Sequence, residues 1–78
     1  MTMPSTTPLV GAEVFTSDGD KLGTVKALRG MFFKVDAPMH HDYWLSDNSI
    51  MGAPSVNRVT MTFDKAHVDD NKQKVEED

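Results

Sequence analysis

The chain contains no cysteine, which excludes disulfide bridges, thiolate metal sites and a thiol nucleophile. It has no apolar run approaching the roughly 20 residues that a spanning helix needs, so no membrane span is expected. The opening Met1-Thr2-Met3-Pro4-Ser5-Thr6-Thr7-Pro8 lacks the basic and apolar regions of a secretory signal, which makes the cytoplasm the default location. Positive charge is scarce: eight Lys and Arg face twelve Asp and Glu, for a net charge of −4. An acidic chain repels phosphate backbones, which argues against nucleic acid as the main partner. Gly-x-Ser-x-Gly elbows and glycine-rich phosphate loops are missing too, so no enzymatic activity and no cofactor are expected.

What is present is one small domain. A chain of 78 residues buries only about 60–65% of the surface its unfolded form exposes, so its core is thin. Without disulfides, self-association is a natural source of extra stability. Residues 1–8 hold prolines and small polar residues and are expected to form a flexible lead. Glu13-Val14-Phe15-Thr16 and Lys21-Leu22-Gly23-Thr24-Val25-Lys26-Ala27-Leu28 flank Asp18-Gly19, a strong hairpin signal that needs a positive φ at Gly19. A two-residue loop there sets Phe15 opposite Leu22 and Ala12 opposite Val25. Leu22 and Val25 lie three apart, and a bulge at Gly23 would turn both inward.

Met31-Phe32-Phe33-Lys34-Val35-Asp36 alternates, with Met31, Phe33 and Val35 on one face. Pro38 ends that strand, and Tyr43-Trp44-Leu45 forms the next. Ser46 is placed to cap a short helical or 3-10 turn before Ile50. Val59, Met61 and Phe63 alternate with Thr60, Thr62 and Asp64 in the last strand. The expected core is Val14, Leu22, Val25, Leu28, Phe33, Val35, Leu45, Ile50, Val59, Met61 and Phe63. Residues 65–78 carry only Ala66, Val68 and Val75 as apolar groups; one docked turn, with Asp64 as its cap, and then a largely disordered acidic tail are expected.

The stretch Gly11-Ala12-Glu13-Val14-Phe15-Thr16-Ser17-Asp18-Gly19-Asp20-Lys21-Leu22-Gly23-Thr24-Val25 resembles the opening hairpin of the PRC-barrel superfamily. That pattern is Gly-x-x-Val, a polar turn with Asp-Gly, then an aliphatic residue, Gly, x and Val. Tyr43-Trp44-Leu45 with Ile50 is similar to the family's aromatic-aliphatic strand and following turn, with Leu45 where the family usually has proline. The resemblance covers roughly Leu9 to Phe63 and makes residues 9–64 a PRC-barrel-like domain. It implies an all-β fold, a small PRC-type β-barrel of five or six short strands with one short helical turn and flexible termini. It also implies a docking or assembly role without shared catalytic residues.

His40, Asp42 and His67 are the groups that invite a metal reading. Strand alternation lets His40 and Asp42 share a face, but His67 lies beyond the last strand, and a zinc site needs three or four ligands. No metal is expected. Phe32 and Trp44 fall out of phase with their neighbours and, with Met39, are the expected binding surface. The leading reading is a non-enzymatic protein-binding or self-assembling module, with a protein partner or a homodimer. A ligand- or metal-ion-sensing module using the 39–44 loop is the alternative, and RNA- or ribosome-associated assembly is a third by fold analogy.

Overall fold

Thr16 organises the first turn. In the computed structural model, which describes residues 8–38, 41–52 and 57–75, β1 (Glu13–Phe15) leads through this turn into β2 (Lys21–Arg29). The Thr16 N–H donates to the Asp20 carbonyl at 2.8 Å, and the Gly19 N–H donates to the Thr16 carbonyl at 3.1 Å. The buried Thr16 hydroxyl donates to the Asp18 carboxylate and accepts from the Asp20 N–H at 3.0 Å. Gly19 has φ 92°, as the turn chemistry requires. Ser17, Asp18 and Gly19 therefore lie outside the pairing, in place of the expected two-residue loop.

The longer loop shifts the register. Phe15 sits opposite Lys21, not Leu22. Leu22 then bulges, and pairing resumes with Val14 opposite Gly23 and Glu13 opposite Thr24. Beyond them the Val25 N–H reaches the Ala12 carbonyl at 2.8 Å, the expected neighbour. The bulge thus falls one residue before Gly23 and still leaves Leu22 packed against the core beside Val25. Gly23 serves a different need: a Cβ there would collide with the Asp36 carbonyl oxygen of the next strand.

β3 (Phe32–Asp36), β4 (Tyr43–Ser46) and β5 (Arg58–Thr60) complete one five-stranded sheet of order β4-β3-β2-β1-β5. β1 and β5 run parallel, and the other neighbours are antiparallel. Directly paired residues share a face. Val25 with Val35, and Phe33 with Leu45, therefore line one side, where they meet Val14, Val59 and Met61, all at most 2% exposed. Each such side chain contributes about 1.5–3 kcal/mol by leaving water.

The class is all-β, but the sheet is open and not the closed barrel expected. β4 leaves strand geometry at Ser46, whose hydroxyl caps a 3-10 turn over Asp47–Ser49 by accepting the Asn48 N–H at 3.1 Å. β5 is three residues long. Too little regular strand is left for a ladder between β4 and β5; a single Ile50–Met61 bridge joins the two ends.

Two further corrections concern cover. Leu28, expected inside, pairs with Phe33 on the core side yet is 40% exposed, because it stands at the end of the sheet. After Asp64 the docked turn is present as expected, but structure continues past it where disorder was expected. Asp64 caps a 3-10 turn over Lys65–His67, α1 (Val68–Asn71) follows, and the Gln73 N–H pairs with the Trp44 carbonyl at 2.8 Å. Val68 docks in the core, and Gln73 satisfies part of the open β4 edge. Pro8, at the end of the expected lead, is buried; residues 1–7 and 76–78 lie outside the described residues. Among the described residues no helix is long and apolar enough to cross a membrane.

Candidate binding groove

The same C-terminal turn that buries Val68 faces the start of β2 and the end of β3. Between them lies a half-open groove of about 540 Å³, within the range that small-molecule sites occupy. Leu22, Ala37, Pro38 and Val68 supply its apolar surface, and Tyr43 adds a half-buried ring. Lys21 comes from the first residue of β2, while Lys65, Asp69 and Lys72 come from the C-terminal segment. Three amines thus surround an apolar floor with one carboxylate among them.

These charges are loosely committed. Lys21 Nζ lies 3.2 Å from Glu13 Oε1, with both side chains about half exposed; such surface pairs contribute little. Lys72 Nζ lies 2.8 Å from Asp69 Oδ1 and 4.7 Å from the centre of the Tyr43 ring. Among the described residues Lys65 has no ion-pair partner. Burial pushes the Tyr43 phenol above its ordinary pKa, and the Asp69 charge adds to this. The phenol is therefore a neutral donor at physiological pH. Apart from that phenol, the lining carries no hydroxyl, thiol or imidazole.

No family model, curated protein or solved structure matches the chain.

The residues picked from sequence sit elsewhere. Trp44 pairs with Lys34 on the face away from the core, with the Lys34 amine 5.8 Å from its ring, and is only 7% exposed. Its indole N–H is buried without a hydrogen-bond partner among the described residues. Phe32, opposite Ser46, shares that face and is half-buried. Met39 and His40 lie outside the described residues. Asp42 accepts from Lys26 at 2.8 Å, which holds its carboxyl below the usual range. The His67 ring nitrogen lies 2.5 Å from Asp64. Among the described residues no three His, Asp or Glu side chains converge on a metal position.

The groove is hard to read in the sequence because its amines are ordinary surface lysines spread from position 21 to 72. One signal was available. Lys65, Val68, Asp69 and Lys72 are spaced i, i+3, i+4 and i+7, which places them on one helical face. All four line the groove.

Proposed function

We propose that this domain is a non-enzymatic binding module and that the groove is its working surface. One observation carries the reading: an apolar floor and exposed charged rims meet in a cleft of ligand size, without a nucleophile–base pair in its lining. Pro38 precedes the 39–44 loop that the ligand-sensing alternative names and Tyr43 lies within it, so the groove favours small-ligand binding over metal sensing. The resemblance of the opening hairpin, Gly11 to Val25, to the PRC-barrel superfamily supports a docking role. Mapping amide shifts while screening small amphipathic compounds of mixed charge tests the proposal. Shifts concentrated on Leu22, Tyr43, Val68 and Lys72 support it; hits confined to other surfaces contradict it.

Self-association is a second reading, favoured by Leu28 and Met31, which are 40% and 56% exposed on either side of Gly30. These two replace Phe32 and Trp44 as the anchors of a homodimer. Sedimentation equilibrium should show a dimer that Leu28→Ser weakens; a monomer at tens of micromolar would contradict it.

A further inference from the structure

The groove's charge runs against that of the molecule. Lys21, Lys65 and Lys72 give +3 and Asp69 gives −1, so the lining carries +2 on a chain whose net charge is −4. Asp69 is 88% exposed and already faces Lys72, which leaves Lys65 and the weakly paired Lys21 to meet an incoming charge. Leu22, Pro38 and Val68 offer contact to hydrocarbon but no hydrogen bonds from their side chains. We infer that the groove takes a small organic carboxylate with an apolar body, its anionic end held by Lys65 and Lys21 and its hydrocarbon laid against Leu22, Pro38 and Val68. This rests on the binding-module reading above and narrows it to one ligand class. A purely inorganic anion would leave the floor unused, and a cation would meet an unfavourable field.

The test uses the full chain with decanoate, decanol and decyltrimethylammonium as probes, each titrated below its self-assembly concentration and followed by amide shifts. Decanoate should bind tightest, with shifts on Leu22, Tyr43 and Val68. Its affinity should fall about two- to fivefold in Lys65→Gln and about tenfold in Lys21→Gln/Lys65→Gln, while Lys65→Arg binds as the parent does. All three variants change exposed side chains and should keep the parent's dispersed spectrum. Decanol or the cation binding in the groove as tightly as decanoate would overturn the anion assignment and leave the groove reading standing. Decanoate binding that ignores both lysines would do the same. Shifts that appear only above the self-assembly concentration would assign a lipid surface instead and overturn the small-molecule claim. Failure of all three probes to shift groove residues would overturn the groove reading with it.

Discussion

The β2–β3 turn and the β4 edge treat large apolar side chains in opposite ways. At the β2–β3 turn, Leu28 lies on the core side opposite Phe33 and is 40% exposed. At the β4 edge, Trp44 lies on the outer side and is 7% exposed. Alternation along a strand decides which face a residue takes. Whether that face is covered depends on which other segments cross it. At β4 the edge is met by Gln73, from a segment with almost no apolar content.

The largest expected effect sharpens this comparison within one residue pair. Phe33→Ala should cost about 3–5 kcal/mol and unfold a domain of this size, whereas Leu28→Ala should cost under about 1 kcal/mol. Urea melts of both variants measure it, and equal losses would break the distinction between face and cover. Next comes Gly23→Ala, whose Cβ would meet the Asp36 backbone and force β2 and β3 apart. A loss of about 1–3 kcal/mol is expected. Gly19→Ala has open space around it but keeps a positive φ, and should lose only about 1 kcal/mol. Reversed ranking in thermal melts would mean that the β2–β3 register is misdrawn.

On the covering segment, Val68→Ala should cost about 1.5 kcal/mol by removing two buried methyl groups. If instead it melts like the parent, the segment is not docked. The smallest effect concerns its cap. The Asp64 hydrogen bond raises the His67 pKa above its ordinary 6.5, with Asp64's charge adding, and the same contact lowers Asp64 below 3.8. His67's contribution to stability is complete below 6.5 and fades as pH rises through its raised value. Asp64's is present above 3.8 and fades as pH falls through its lowered value. The cap is therefore firmest from about pH 4 to the mid-sixes, though both side chains are about half open to solvent, which weakens it. An NMR titration should place the His67 midpoint above 6.5 and return it toward 6.5 in Asp64→Asn; an unchanged midpoint would dissolve the cap.

Much of the sheet was legible because it is written in local chemistry. Asp18-Gly19 announced the first turn, Ser46 and Asp64 announced their caps, and the alternation of Phe33 and Val35 named the core face. The register at Phe15 was not legible, because it depends on the Thr16 side chain claiming Asp20 and lengthening the loop. Closure is not legible either, because it turns on how far β4 and β5 stay regular, a property of long-range pairing. The groove was hidden for a related reason. Its lysines are ordinary surface residues in sequence, and only the return of residues 65–72 to the start of β2 makes them one site.

The central claim is that this polar C-terminal segment both finishes the β4 edge and builds one wall of the groove. Trp44, the single tryptophan, reports on it directly. Acrylamide quenching of its fluorescence should be weak and its emission blue-shifted in the parent chain. Gln73→Pro removes the N–H that pairs with the Trp44 carbonyl, and should make the emission redder and the quenching stronger while the far-ultraviolet spectrum keeps its β character. A parent tryptophan that quenches like one free in water, or a Gln73→Pro variant that changes nothing, would contradict the account.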